Sequence, residues 1–364
     1  MIETENMSRL ISVNLNVIRQ PELTYTFLNP EENRHRMEDY YFPGFASDVT
    51  DGILKRFREK KSGSILITGR PGTGKTSLGL FLMNLFSCRT KYPIMEILAK
   101  SANNYPIREV KEEVGRFLVV NPHPLEKNGK AEFDAAIIRA INGALVREEV
   151  RFVPPASDSA SEVCEETVNY LINDNEWSGM LIIMDDTEPI LEELEEGAAS
   201  PLAIQAKNFL SYINTIEDFP VFFIGIGSME PSSYVAASLE QEALKVLNNF
   251  FSAVFWFDYK PDDWVEFVTG KILQHTSMDA IEVLSSNPEF EQLAEFTFKS
   301  GLFPGKDKEY VHHRLLPSCF PLHPFTLMFL PKLSRKISSK EKNLLAFFRD
   351  TSPGSFRYFL DTFG

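Results

Sequence analysis

Three short stretches combine residue types that could handle phosphate and move protons. Gly69, Arg70, Pro71, Gly72, Thr73, Gly74, Lys75 and Thr76 fit the pattern GxxxxGK[ST], with Ser77 next in line. Glycines let successive backbone N–H groups turn inward around an anion. A helix starting there aims its positive end at the same phosphates. Lys75 is the type that neutralises β- and γ-phosphate oxygens, and the Thr76 hydroxyl is the type that ligates Mg²⁺. The competing reading, an incidental glycine-rich turn, is opposed by context, since an apolar run precedes the motif and a helical pattern follows it.

The second stretch is Leu181, Ile182, Ile183 and Met184, followed at once by Asp185, Asp186 and Glu188. A carboxylate at the end of a parallel strand stands on the face where ligands bind. Asp185 is the candidate for holding Mg²⁺ through water. Asp186 is the candidate general base that polarises an attacking water, and Glu188 is a second candidate for that role. Taken alone, these acids also suit a helix N-terminus, because Pro189 fits a first turn. The third stretch, 222–228, is an apolar run ending in Gly227 and Ser228. There a hydroxyl could orient the water or sense the γ-phosphate, and Gly225 and Gly227 could let the backbone pass close to a nucleotide. An ordinary exit from strand to loop is the plainer alternative.

These groups need a scaffold. Apolar runs predict strands at 64–68, 116–121, 179–184, 220–225 and 253–257. Helical spacing predicts helices at 48–61, 76–86, 132–149 and 162–173. Continuous apolar strands separated by helices imply an α/β fold with a parallel five-stranded sheet covered on both faces. Lys75 and Asp185 are 110 residues apart, and the strand at 116–121 falls between them. The two motifs therefore do not lie on sequence-adjacent strands, a spacing that fits P-loop ATPases with an extra strand between the motif strands. After Pro261 only helical patterns remain. The expected organisation is an irregular N-terminal arm (1–45), an α/β core (46–260) and an all-helical lid (261–364).

The 364 residues are 43 % hydrophobic and 24 % charged, with 30 Phe, as in an ordinary globular chain. Formal charge is −14, unevenly spread. Residues 299–364 hold 11 basic and 5 acidic side chains, and the remainder 26 basic and 46 acidic. The acidic body excludes a chain that coats nucleic acid throughout. The basic C-terminal region could meet DNA phosphate or an acidic partner, or be a solvated surface. Cys88, Cys164 and Cys319 make neither a disulfide framework nor a CxxC pair, which suggests a reducing, cytoplasmic setting. No apolar window approaches the roughly 18 residues of a membrane span, so no membrane partner is expected.

The order of motifs at 69–76, 181–186 and 222–228, followed by 247–251 and 255–263, resembles the AAA+ class of P-loop ATPases, especially its origin-recognition and STAND-like branches. The stretches 320–335 and 341–348 resemble the lid of large ATPases from bacterial anti-phage systems of the BREX type. The resemblance implies ATP and Mg²⁺ as cofactors, a helical lid, and protein partners or a homo-oligomer. It also marks departures. Asp186 stands where active motors usually carry Glu, Asn248 and Asn249 where the resemblance would place an arginine finger, and Lys340, Glu341 and Lys342 where an Asn-Glu-Arg motif is expected. Arg314, Arg335 and Lys342 are the cations left for sensing phosphate. In the resembling families the arm packs near the adenine, so one ring among Tyr40, Tyr41, Phe42 and Phe45 could stack on the base or serve as a local anchor.

Two smaller expectations concern helix starts: 338–341 resembles a capping box, and His323 could cap the helix after Pro324. His312, His313 and His323 lack metal-ligand spacing. The reading that joins these observations is an Mg²⁺-dependent ATPase whose turnover drives or gates a change in a larger assembly. An ATP-gated switch with little turnover is the alternative. A small-molecule kinase ranks third, for want of an arginine-rich lid.

Overall fold

The computed structural model describes residues 11–15, 22–69, 73–87, 92–101, 105–123, 133–195, 200–228, 247–257, 261–275, 286, 288–337 and 345–363. Arg70, Pro71, Gly72, Cys88, Lys340, Glu341, Lys342 and the 338–341 stretch lie outside them. Among the described residues there are seven strands: β1 (Ile11–Val13), β2 (Gly63–Gly69), β3 (Phe117–Val120), β4 (Gly179–Met184), β5 (Val221–Ile226), β6 (Ala253–Phe257) and β7 (Leu273–His275). The chain divides into two compact units, Gln20–Asp258 and Met1–Arg19 with Tyr259–Gly364.

The first unit is built on a five-stranded parallel sheet in the order β3-β4-β5-β2-β6. Strands β2 to β5 are buried along their whole length, as continuous apolar runs covered on both faces must be. Ile65 is in register with Ile224 on one side and Ala253 on the other, and Ile182 with Val120 and Phe223. The strand that intervenes in sequence, β3, lies at the sheet edge. The strand inserted in space between the two motif strands is β5, which comes later in the chain.

Helix Lys75–Phe86 is buried almost all round, which its run of Leu, Phe and Met residues allows. Its Phe86 ring meets Phe117 at 5.0 Å, and Phe117 stacks on Phe222 at 6.3 Å. On the other side of the sheet, helices Phe133–Arg147, Ala160–Asp174 and Pro201–Ile213 share one core with Ile182, Phe209 and Phe223. Each such fully buried ring or branched chain stabilises the fold by roughly 1.5–3 kcal/mol.

The expectation of an irregular arm is corrected. Helices Leu23–Leu28 and Pro30–Glu38 occupy it, the second opened by Asn29, whose side chain accepts from the N–H groups of Glu31 and Glu32 at 3.2 Å. Asn33 and Asn84 exchange amide hydrogen bonds of 2.9 and 2.8 Å inside the protein and fasten this helix to the helix after the glycine-rich loop. The aromatic group is an anchor: Phe42 packs on Phe81 at 4.8 Å and Tyr105 at 5.3 Å, Tyr40 on Phe81 at 5.4 Å, and Phe45 on Phe257 at 4.5 Å. Tyr40 and Phe42 are buried, so neither is presented to a base.

Among the described residues the second unit is helical apart from one small antiparallel pair. β1 joins β7 with Ile11 opposite His275 and Val13 opposite Leu273. The expectation of helices alone after Pro261 therefore needs this amendment. Trp264, Phe348 and Phe356 are buried at its centre. His323 caps helix Pro324–Ile337 as expected, its Nδ1 accepting from the Phe325 N–H at 3.1 Å. Among the described residues no helix is long and apolar enough to cross a membrane.

Candidate functional site

The glycine-rich loop leaves the end of β2, and its helix starts at Lys75. Gly69 has φ +142°, and a Cβ there would lie 2.3 Å from the Phe257 carbonyl oxygen, so no side chain fits. Gly74 is left-handed with φ +93°, turning the chain into the helix without a Cβ clash. Thr73, Lys75 and Thr76 are buried. Lys75 Nζ donates to the Gly69 carbonyl at 2.9 Å. Burial lowers the Lys75 pKa to about 8, while the negative charges of Glu188, Asp185 and Asp186 pull the other way. The ammonium is thus poorly solvated, and three carboxylates offset part of that cost by favouring its charged form.

Opposite it, β4 delivers the acidic turn. Asp185 is buried, and the Thr76 side chain beside it favours its charged form. The Asp185 carboxylate accepts from the Asp186 N–H at 3.0 Å. Burial and then the neighbouring Asp186 charge raise its pKa to about 6, and the Thr76 side chain and the Asp186 amide partly offset this. Asp186 is exposed and has a left-handed backbone, φ +53°, an uncommon conformation for a residue other than glycine. Helix Glu188–Glu195 begins two residues later, with Pro189 in its first turn. The helix-start reading of these acids therefore holds for Glu188, alongside the clustering with Lys75.

β5 is stitched into this corner from both sides. The Thr187 N–H donates to the Ile226 carbonyl at 3.0 Å, and the Gly227 N–H to the Ile67 carbonyl at 3.1 Å. The Ser228 N–H donates to the Glu188 carboxylate. A Cβ on Gly227 would meet Thr187 Oγ1 and Leu191 Cδ1, each at 2.8 Å. The expectation that this glycine clears space for a nucleotide is corrected: it clears space for the acidic turn. At Gly225 a Cβ would make only ordinary contacts with Phe223, Thr187 and Leu66, at 3.4–3.6 Å.

Lys75, Thr76, Asp185, Asp186, Glu188 and Ser228 are therefore gathered at the C-terminal mouth of one sheet. Ser77 is half-buried one residue further along the helix. Arg314 is exposed in the second unit, in the turn Val311–Leu315. The Arg335 side chain lies outside the described residues. Sequence reasoning counted Asn121 only as the last residue of a strand. Its side-chain amide donates to the Ile183 carbonyl at 2.6 Å, two residues before Asp185. A polar residue directly after the apolar run of β3 was the available signal. Thr68 and Thr187, both buried with hydroxyls lacking a hydrogen-bond partner, carried no sequence signal.

No protein-family model matches the chain, and no curated protein does. Among solved structures it is similar to the ORC2 protein of Aeropyrum pernix in its ADPNP–ADP complexes, with 15 % identity over 87 % of this chain and 71 % of that one and a TM-score of 0.38. It is also similar to Drosophila ORC bound to DNA, with 12 % identity over 82 % of this chain and 57 % of that one and a TM-score of 0.34. A third likeness is to the FIGL-1 AAA domain in complex with ADP, with 12 % identity over 91 % of this chain and 94 % of that one and a TM-score of 0.24. The chain's own sheet order, with a GxxxxGK[ST] loop and an acidic strand end facing one another across its C-terminal mouth, is that of a P-loop NTPase fold.

Proposed function

We propose that the Gln20–Asp258 unit binds ATP with Mg²⁺ and hydrolyses it, and that turnover drives or gates a conformational change in a larger assembly. The observation that carries this reading is the gathering of buried Lys75, Thr76 and Asp185 at one mouth of the sheet, where the Thr76 side chain favours the charged form of the Asp185 carboxylate. A hydroxyl and a carboxylate held together are hard oxygen donors of the kind Mg²⁺ takes, usually with waters and phosphate oxygens completing its shell. The residues therefore fit the ion, which when bound neutralises charge on the β- and γ-phosphates. In this reading the loop amides and Lys75 bind phosphate oxygens. Thr76 and Asp185 hold Mg²⁺, Asp185 through water. The exposed Asp186 carboxylate takes the proton of the attacking water, and Ser228 orients that water or senses the γ-phosphate.

ATP-binding isotherms with phosphate release test this directly. Wild type should bind ATP more tightly with Mg²⁺ than with EDTA and release phosphate, and D185N should lose the Mg²⁺ dependence. Equal affinity in Mg²⁺ and EDTA, or unchanged binding in K75A, would overturn it.

A second reading, an ATP-gated switch with little turnover, is favoured by one observation. Asp186 is one methylene shorter than the usual Glu and sits on a left-handed backbone, φ +53°. DNA is the partner class suggested by the basic C-terminal region, and anti-phage defence is the setting suggested by the lid resemblance. Turnover measured with and without double-stranded DNA separates the two readings: stimulation supports a motor, and ATP binding without turnover in either condition supports a switch.

A further inference from the structure

We infer that Glu188 is a positioning residue that fixes Ser228 at the mouth of the sheet, not a second base for water. This deepens the ATPase reading and rests on it. Glu188 opens helix Glu188–Glu195, where a carboxylate beside the first free N–H groups is favoured anyway. Its Oε1 is taken by the Ser228 N–H. That bond does not stand alone. One residue earlier Thr187 donates to Ile226, and one residue before Ser228 Gly227 donates to Ile67. Three bonds therefore tie the end of β5 to the acidic turn on one side and to the glycine-rich strand on the other. Gly227, with no side chain, lets the turn close to contact distance of Thr187 and Leu191.

Of the three, only the Glu188–Ser228 bond depends on a side chain, so only it can be removed by substitution without breaking the backbone path. A carboxylate oxygen already occupied by the Ser228 amide is held in place and directed at the backbone of β5. The division of labour is therefore Asp186 for the proton and Glu188 for the placement of Ser228.

The test compares E188A and E188Q in the full-length chain. Gln keeps an oxygen that accepts from the Ser228 N–H but cannot act as a base; Ala can do neither. E188A should lower kcat at least tenfold while affinity for the non-hydrolysable analogue AMP-PNP with Mg²⁺ stays within threefold. E188Q should recover at least a third of wild-type kcat. Amide exchange without nucleotide gives a second readout: the Ser228 N–H should exchange at least tenfold faster in E188A than in wild type, and at near wild-type rate in E188Q. Equal loss of kcat in E188A and E188Q assigns Glu188 as a base and overturns the positioning role, as does wild-type exchange at Ser228 in E188A. A wild-type chain that binds no AMP-PNP overturns the nucleotide reading itself, a result these comparisons between variants cannot mimic.

Discussion

Lys75 holds its ammonium 2.9 Å from the carbonyl of Gly69, the residue six positions earlier in the same loop. The loop is thus closed on its own cation. Burial pushes that amine down to about 8, so the site keeps a charge that folding alone disfavours. K75M should therefore separate function from stability. Loss of the charge contact should weaken ATP binding by about a hundredfold or more, the equivalent of ~2.7 kcal/mol. The unliganded protein should be as stable or more stable, by on the order of 1 kcal/mol, because a desolvated charge is replaced by an apolar chain of similar length. Denaturant midpoints and ATP isotherms on the same preparation check both halves. A lower midpoint would show that the ammonium contributes net stability.

Gly69 and Gly225 make a matched pair of opposite character. Gly69 is at φ +142° with the Phe257 carbonyl 2.3 Å from a would-be Cβ, whereas a Cβ on Gly225 finds nothing nearer than 3.4 Å. G69A should cost about 3 kcal/mol and abolish ATP binding, since both the backbone conformation and the β2–β6 pairing must shift. G225A should change stability by less than ~1 kcal/mol. Thermal denaturation of both variants decides it, and similar losses in the two would show that the β2–β6 contact yields more easily than the geometry implies.

The opposite end of β2 is fixed by a polar cluster around Asn214. Its Oδ1 accepts from the Ser64 N–H at 2.8 Å and the Ser64 hydroxyl at 3.0 Å, and its Nδ2 donates to the Phe250 carbonyl at 3.3 Å. Ser64 is fully buried, so N214A would strand a backbone donor away from water. The cost should be about 2–3 kcal/mol. Ser64 is the second residue of the strand that ends at Gly69, at the far end from the loop, so below the unfolding transition ATP affinity should be unchanged. A fall in affinity without a fall in stability would be the unexpected outcome.

The central strands were legible because burial on both faces demands continuous apolar runs, and 179–184 coincides with the fully buried β4; 253–257 coincides with β6, an apolar edge strand that is only half-buried. Their pairing was not legible, since nothing in 221–226 says that it will insert between β2 and β4. The helix Pro30–Glu38 was missed for a physical reason. Pro30 reads as punctuation, yet a proline after an Asn cap is a helix start, because its missing N–H is one the first turn does not need. β1 and β7 have three residues each, too few for any periodicity. Within the site, the motif residues were found from their types. The contacts that order them, Thr76 beside Asp185 and the Ser228 amide on Glu188, join chain segments far apart in sequence, and only the folded sheet brings them together.

In the second unit, His323 supplies a pH-dependent cap. Its Nδ1 accepts from the Phe325 N–H at 3.1 Å, its Nε2 lies 3.5 Å from the Thr297 hydroxyl, and the Phe325 ring packs against it at 4.6 Å. A protonated Nδ1 cannot accept that hydrogen bond. Burial holds the histidine below its ordinary value of 6.5. The sign follows from proton binding: between the folded and unfolded pKa values the unfolded chain binds more protons, so stability rises with pH there. The contribution is fully present above 6.5 and is lost as pH falls through the lower, folded value. H323N offers an amide oxygen that caps the same N–H without titrating. Amide exchange at Phe325, measured in both proteins at pH 7.5, 6.5 and 5.5 so that the intrinsic pH effect cancels, should show wild-type protection falling below that of H323N only on the acid side. Parallel profiles in the two proteins would remove His323 as the origin of any acid sensitivity in this helix.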